Sequence, residues 1–197
     1  MRARDNPFAV QRLDRLAYRL AGEDWDTLLA RLDGLGRRGA ILGPEGSGKT
    51  ALLVALEERL AARGCRVVGL RLHRGQRRLA GEQRARLDTA CAPGTVLLVD
   101  GADELGALEW HRLRRRSRRA AGLVIAVHRE DLLPTLHRCA PTPALLAELI
   151  AELHPPCACE LPEAEALLTR HAGNLRTALL ELYDRHAASP EAAPGKD

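Results

Sequence analysis

The segment Gly43-Pro-Glu-Gly-Ser-Gly-Lys-Thr50 decides the fold of this chain of 197 residues. It fits the pattern G-x-x-x-x-G-K-[ST], in which glycines let the backbone turn tightly around phosphate oxygens. Consecutive N–H groups then point at the anion, and the positive end of the following helix dipole faces the same charge. Residues 39–43 read as a short buried strand and residues 49–63 as a helix, which is the context that this motif requires. The sequence therefore predicts a phosphate-binding loop between a strand and a helix.

The loop supplies most of the predicted nucleotide-binding residues. Lys49 is expected to reach the terminal phosphates of a nucleoside triphosphate, and the Thr50 hydroxyl is expected to ligate Mg²⁺. Of the 30 Lys+Arg residues only Lys49 and Lys196 are lysines, which indicates that Lys49 stands where a compact ammonium is needed. ATP is favoured over GTP, because the two asparagines are not followed by the lysine of a guanine-reading Asn-Lys-x-Asp loop. The candidate residues are Gly43, Pro44, Glu45, Gly46, Ser47, Gly48, Lys49, Thr50 and the adjoining Ala51.

A second apolar strand, residues 95–99, ends in a carboxylate at Asp100. At the carboxyl edge of a neighbouring strand, Asp100 is expected to hold Mg²⁺, directly or through water. Hydrolysis also needs a carboxylate that orients or deprotonates the attacking water. Asp103 and Glu104 are the candidates, with Glu104 preferred and Lys49 completing the catalytic set. The alternative for Glu104 is support of the first turn of the next helix, where acidic residues are favoured.

Strands alternate with helices across the middle of the chain, and the strands are continuous apolar runs. Strands are predicted at 39–43, 65–72, 95–99, 123–127 and 133–139, with helices at 11–20, 49–63, 76–90 and 105–121. After residue 143 only helices are predicted, at 143–153, 163–172 and 175–186. We therefore expect a three-layer α/β core of about five parallel strands at 36–140 and a small C-terminal helical lid at 141–187. A helical lead-in at 1–35 and a disordered tail at 188–197 complete the predicted organisation.

Together the two motifs resemble the Walker A and Walker B motifs of P-loop NTPases, in the branch with an extra strand between them. In AAA+ ATPases the Walker B aspartate is followed directly by a glutamate, whereas Gly101 holds that position here. The run LLVDGADEL is closer to the STAND and NACHT-type ATPases, whose strand ends in Asp-Gly-x-Asp-Glu. The resemblance to this AAA+/STAND-like group implies a Mg²⁺-dependent ATPase whose nucleotide state is sensed by a helical lid.

Two further segments resemble the sensor motifs of these families. His128 and Arg129 follow an apolar strand similar to the fourth core strand, where a polar residue senses the γ-phosphate. Gly173-Asn-Leu-Arg176 is similar to the second-sensor motif of AAA+ lids, which implies that Arg176 contacts the γ-phosphate; arginine is always charged and bidentate toward phosphate. The alternatives are an ordinary polar strand end, and a helix-capping Gly173 followed by a solvated Arg176.

Two other functions stay open. A nucleotide-dependent regulatory module without turnover is suggested by Gly101, which replaces the expected glutamate. A DNA-associated ATPase is suggested by the arginine-rich run from Arg112 to Arg119, which offers contacts to nucleic-acid phosphates. The alternative for that run is a solvated helix face, because arginine is abundant throughout the chain. No effector domain is visible, so we also expect an unknown protein partner.

The composition narrows the class of protein. The net charge is +4 and the hydrophobic fraction is 46%, which is enough for a real core. The chain has no apolar run of the ~18–20 residues that a membrane helix needs and no signal-peptide pattern, so a cytoplasmic protein that does not enter membranes is expected. Five irregularly spaced cysteines do not form a disulfide framework. His154, Cys157 and Cys159 would supply only half of a metal site, and buried or idle thiols are preferred.

Overall fold

The computed structural model describes residues 6–13, 16–20, 22–155 and 159–188. These residues divide into two compact units. The α/β unit comprises Tyr18–Gly43 and Lys49–Cys139, and the helical unit comprises the described parts of Met1–Ala17, Pro44–Gly48 and Ala140–Asp197. Each unit has its own buried hydrophobic residues.

Five parallel strands form the sheet of the α/β unit. Its spatial order is β2-β3-β4-β1-β5, and all four neighbouring pairs are parallel. Strand β4 lies between β1 and β3, which confirms the extra strand between the strands of the two motifs. The strands are β1 (Arg38–Leu42), β2 (Arg66–Arg71), β3 (Thr95–Asp100), β4 (Gly122–Val127) and β5 (Thr135–Arg138).

Helices cover both faces of this sheet. Helices α2 (Trp25–Gly34) and α3 (Lys49–Ala62) pack on one face, while α4 (Gly81–Ala90) and α5 (Ala107–Arg116) pack on the other. Successive side chains of a strand point to opposite faces, so a strand covered on both sides needs an uninterrupted apolar run. All six residues of β4 are buried, and the five from Leu123 to Val127 alternate between the two clusters of core residues. The predicted three-layer α/β fold is confirmed.

The helical unit contains α1 (Val10–Leu13), α6 (Pro143–Leu153), α7 (Leu161–Arg170) and α8 (Leu175–Ala188). The Thr142 hydroxyl accepts a hydrogen bond from the Leu145 N–H at 3.1 Å and Pro143 opens α6, two features that favour a helix start. Phe8 is buried with leucines of all three C-terminal helices. The predicted helical C-terminal segment is therefore present.

Three predicted helices differ from the observed ones. The helix predicted over 11–20 is wrong at residues 16–20, which are not helical, because the Tyr18 hydroxyl is drawn to His137 and Cys139 of the α/β unit. Helix α4 begins only at Gly81, since the Gln83 side chain accepts a hydrogen bond from the Ala80 N–H at 2.9 Å and caps the helix there. The helix predicted over 105–121 is shorter, and its end is the separate 3-10 turn Ser117–Arg119.

Some predictions fall on residues that the structure does not describe. Residues 189–197 of the predicted tail and Cys157 of the half metal site lie outside the described residues. Within the described ranges, no group of three or more His, Cys, Asp or Glu side chains is placed to hold a metal ion. No helix in those ranges combines the length and apolarity needed to cross a bilayer.

The buried strand β3 provides a test of this packing. Leu97 is fully buried between the sheet and its helices, whereas Leu108 is 64% exposed on α5. Leu97→Ala is expected to lower the free energy of unfolding by about 2–5 kcal/mol, because it leaves a cavity in the core. The matched control, Leu108→Ala, is expected to change it by no more than about 0.5 kcal/mol. Urea unfolding followed by circular dichroism measures both, and equal effects would contradict the packing described.

Candidate functional site

The glycine-rich loop between β1 and α3 has backbone angles that only glycine adopts readily. Gly46 and Gly48 have φ values of 72° and 93°. The Ser47 hydroxyl donates to the Pro44 carbonyl at 2.8 Å, and the Ser47 N–H donates to the same oxygen at 3.4 Å. These bonds close a tight turn whose geometry fits a loop that wraps an anion.

Lys49 is the first residue of α3 and is only 8% exposed. Its ammonium donates to the Gly43 carbonyl at 2.7 Å, at the start of the loop. Burying an ammonium group is costly unless a hydrogen bond compensates it, and the Gly43 carbonyl provides one. The sequence-predicted cation is therefore held at the loop.

Thr50 and Asp100 meet at the ends of α3 and β3. The Thr50 hydroxyl donates to Asp100 Oδ2 at 2.7 Å. A hydroxyl and a carboxylate are oxygen ligands of the kind that Mg²⁺ prefers. The structure thus brings together the two residues that the sequence assigned to the metal.

Arg71 also lies beside Asp100, but the sequence did not identify it as a site residue. It is paired with Asp100 in the register of β2 and β3, and its Nε lies 3.5 Å from Asp100 Oδ2. A cavity of about 220 Å³ beside the pair is lined by Thr50, Glu57, Arg71 and Asp100 among others. With 28 arginines in the chain, nothing in the sequence distinguishes Arg71; only the strand register does.

Asp103 and Glu104 follow Asp100 on a 3-10 turn, Ala102–Glu104, that opens at Gly101 with a φ of 79°. Asp103 Oδ2 accepts from the His128 backbone N–H at 2.9 Å and lies 3.1 Å from the His128 ring, while Asp103 Oδ1 is buried without a hydrogen-bond partner among the described residues. Glu104 Oε2 accepts from the Gly75 N–H at 2.7 Å. The two carboxylates therefore bind different neighbours.

The alternative role for Glu104, support of the first turn of the next helix, does not match the structure. Helix α5 begins at Ala107, and the acidic residue of its first turn is Glu109. Glu104 instead binds the loop that follows β2.

The predicted sensor residues lie on the surface. Arg129 is exposed in the turn after β4 and makes no hydrogen bond or ion pair with the part of the chain that the structure describes. Arg176, the second residue of α8, is also exposed. Ala51, which was predicted as a nucleotide-binding residue and not as a sensor, is exposed in the first turn of α3. His128 is the sensor candidate that the structure connects to a carboxylate, through Asp103.

Asn174 is a second residue that sequence reasoning passed over. Its Oδ1 accepts from the Thr177 N–H at 3.1 Å and so caps α8. A Cβ atom added at Gly46 would lie 1.8 Å from that same oxygen. Within the helical unit, the glycine loop and the start of α8 are therefore in direct contact, two residues before Arg176.

Buried Cys139 and partly buried Tyr18 lie beside the end of β1, which precedes the loop's first residue. The Cys139 N–H donates to the Leu42 carbonyl at 2.7 Å, and the Tyr18 hydroxyl lies 3.2 Å from the Cys139 sulfur. Burial raises the pKa of the Cys139 thiol, and burial also raises the pKa of Tyr18. Both groups are neutral at physiological pH, so this cluster supports the end of β1 without adding charge to it.

Comparison with known proteins finds solved structures that resemble this chain, but no matching family model or curated protein. RuvB from Thermotoga maritima matches with a TM-score of 0.52 and 21% identity over 81% of this chain and 59% of its own. NtrX from Brucella abortus in complex with ADP matches with a TM-score of 0.53 and 16% identity, over 90% of this chain and 53% of its own.

This chain has the fold of an AAA+ P-loop ATPase. NtrX in complex with ATP gives the same TM-score of 0.53, over 93% of this chain and 55% of the NtrX chain. The chain thus spans between 53% and 59% of the length of these matched proteins. The AAA+ resemblance drawn from the two motifs is confirmed at the level of the fold.

The contact between Gly46 and Asn174 provides a test of the loop. Gly46→Ala is expected to cost about 1–2 kcal/mol for the left-handed backbone and about 1 kcal/mol more for displacing the Asn174 cap. Gly64→Ala is the matched control, since Gly64 has a φ of 80° and open space around its Cβ position; it is expected to show the backbone cost alone. Chemical unfolding measures both.

The loss of stability caused by Gly46→Ala should depend on Asn174. In an Asn174→Gly background, the effect of Gly46→Ala is expected to fall to that of Gly64→Ala, because the displaced side chain is gone. An effect of Gly46→Ala that is the same in both backgrounds would show that the two residues do not touch.

Proposed function

We propose that this chain binds ATP with Mg²⁺ at the glycine loop and hydrolyses it slowly, in response to a partner. The observation that carries the proposal is the hydrogen bond of 2.7 Å between the Thr50 hydroxyl and Asp100 Oδ2. It places the last residue of the loop motif against the carboxylate of the second motif. In P-loop NTPases a Ser or Thr and an Asp in these positions hold Mg²⁺.

The residues present fit the nucleotide and its metal. Gly46 and Gly48 give the loop the backbone angles that a phosphate cradle needs, and the Lys49 ammonium donates to the carbonyl of Gly43, the first residue of the motif. Thr50 and Asp100 would hold Mg²⁺, which when bound supplies positive charge to the β- and γ-phosphates. Lys49 would leave the Gly43 carbonyl and donate to the terminal phosphates.

Glu104 is the proposed group that accepts a proton from the attacking water. Its carboxylate is half-buried and, among the described residues, makes one hydrogen bond, to a loop N–H, so we propose that a rotation of the side chain frees it. Asp103 is 10% exposed and one of its oxygens already holds the backbone of His128, which ties the turn to the end of β4. Asp103 is therefore proposed to position the turn and His128.

The helical segment 141–187 is proposed to act as the lid that reads the nucleotide. Asn174 touches the glycine loop at Gly46 and caps α8, the helix that carries Arg176. A loop that rearranges around phosphates would move Asn174 and with it the start of α8. Arg176, and Arg129 after β4, are the proposed γ-phosphate sensors.

A second candidate, a nucleotide-dependent module without turnover, rests on a specific observation. Both carboxylates after Gly101 are already hydrogen-bonded to backbone N–H groups, Asp103 to His128 and Glu104 to Gly75. A chain that keeps both bonds when ATP binds would hold both carboxylates in their present positions, so neither could move onto the attacking water. The chain spans only 53% to 59% of the length of the matched proteins. In this second candidate function, a partner or a further segment would therefore respond to the nucleotide-bound state of the chain.

The two candidates differ in turnover. We expect wild type to bind Mg-ATP and hydrolyse it, and Glu104→Gln to lower kcat by about 10²–10⁴-fold while ATP affinity changes by less than about threefold. Lys49→Ala is expected to weaken ATP binding at least about tenfold, since it removes a charge-assisted hydrogen bond. Isothermal titration measures affinity, and phosphate release under saturating ATP measures turnover.

Asp103→Asn is the matched control for Glu104→Gln. It keeps an oxygen acceptor for the His128 N–H and is expected to retain turnover within about tenfold of wild type. ATP binding with no turnover in wild type would favour the regulatory module. A larger loss of turnover in Asp103→Asn than in Glu104→Gln would show that Asp103, not Glu104, is the base. No ATP binding by wild type would overturn both candidates.

A further inference from the structure

A second cleft, of about 600 Å³, lies between α4 and α5 of the α/β unit. None of its lining residues belongs to the candidate ATP site. Its volume falls within the ~300–1,000 Å³ range of small-molecule pockets. Five arginines line it: Arg84, Arg112, Arg115, Arg116 and Arg119.

The cleft carries an excess of positive charge. Against its five guanidinium groups stand two carboxylates, Asp88 and Glu109, which leaves three positive charges uncompensated. Burial raises the pKa of the Cys91 thiol, the remaining titratable group of the lining, so the thiol adds no negative charge at physiological pH. Such a cleft attracts a ligand with several negative charges.

Part of this charge is held in a fixed frame. Glu109 is buried, and its Oε1 accepts from Arg84 at 3.0 Å, which joins α5 to α4, while its Oε2 lies 3.4 Å from Arg112. Although burial opposes its ionisation, the hydrogen bonds from Arg84 and from the Leu79 N–H hold the pKa of Glu109 below its usual range. Asp88 on α4 pairs with Arg116 on α5 at 3.0 Å. The walls of the cleft are thus connected by ion pairs.

Arg115 and Arg119 are the two remaining guanidinium groups. Neither has an acidic partner in the described ranges of the chain. Arg112, Arg115, Arg116 and Arg119 recur at intervals of three and four residues, which places them on one side of the α5 region. Among the residues that the structure describes, the cleft therefore presents two guanidinium groups without an acidic partner beside a fixed frame.

We propose that this cleft binds a small molecule that bears at least two phosphate groups. Each phosphate is compact, can carry up to two negative charges, and matches the bidentate donor fork of arginine. Two phosphates can therefore neutralise the three excess charges within about 600 Å³. Leu79, Leu87, Leu113 and Cys91 form the apolar part of the lining, which suits an uncharged portion of the same molecule.

The same features disfavour a nucleic acid as the ligand. No aromatic side chain is among the described residues that line the cleft, so these residues offer bases no stacking platform. Arg114 and Arg118 of the same arginine-rich run do not line the cleft, so the run is not one uniform basic surface.

The test uses the full chain and inorganic tripolyphosphate as the probe, in isothermal titrations at 150 mM salt. The chain is expected to show two binding events, one at the glycine loop and one at the cleft. The double variant Arg115→Gln/Arg119→Gln is expected to bind tripolyphosphate at the cleft at least about tenfold more weakly, because two charge-assisted contacts disappear. Lys49→Ala is expected to lose the other event and keep this one.

The double variant Arg114→Gln/Arg118→Gln is the matched control, because it removes two arginines of the same run that lie outside the cleft. It is expected to retain both events, and circular dichroism checks that all variants fold. A single binding event in wild type that is unaffected by Arg115→Gln/Arg119→Gln, or an equal loss of affinity in the control, would overturn the proposal. So would a 20-nucleotide DNA that binds more tightly than tripolyphosphate and depends on Arg115 and Arg119.

Discussion

The arrangement of the site depends on the hydrogen bond between Thr50 and Asp100, because it joins the two halves of the motif pair. Thr50 stands in the first turn of α3 only because the glycine turn ends just before it, and Asp100 stands at the edge of β3. Strand β4, buried along its whole length, separates β1 from β3. The packing of an apolar strand thus sets the spacing at which a hydroxyl and a carboxylate can share one cation.

The sheet and its loop could be predicted because their signals are local. Continuous apolar runs indicated buried parallel strands, and the spacing of glycines and Lys49 indicated the loop. The helix predicted through residue 20 was wrong, because the contact of Tyr18 with His137, distant in the chain, overrides local periodicity. The positions of Arg71 and Asn174 and the bond between Glu104 and Gly75 are set by strand register and tertiary contacts, so no spacing of residues in the sequence predicts them.

Charge is used in two different ways in this α/β unit. At the glycine loop one lysine, nearly buried, is held by a backbone carbonyl. In the cleft between α4 and α5, arginines are divided between ion pairs that fix the walls and guanidinium groups without acidic partners in the described chain. From sequence, the run from Arg112 to Arg119 read as either a solvated face or a nucleic-acid surface; the structure places part of it in a cleft. Composition alone cannot make that distinction, because arginine is abundant everywhere in the chain.

The most direct test of the central claim is a double-mutant cycle on Thr50 and Asp100, read as the affinity for ATP with and without Mg²⁺. Thr50→Val and Asp100→Asn are each expected to weaken Mg-ATP binding at least about tenfold, and the double variant is expected to be little weaker than either. Affinity for metal-free ATP should change by less than about threefold, because the loop and Lys49 are intact. Additive losses, or a Mg²⁺ dependence that survives in both single variants, would show that these two residues do not form one metal site.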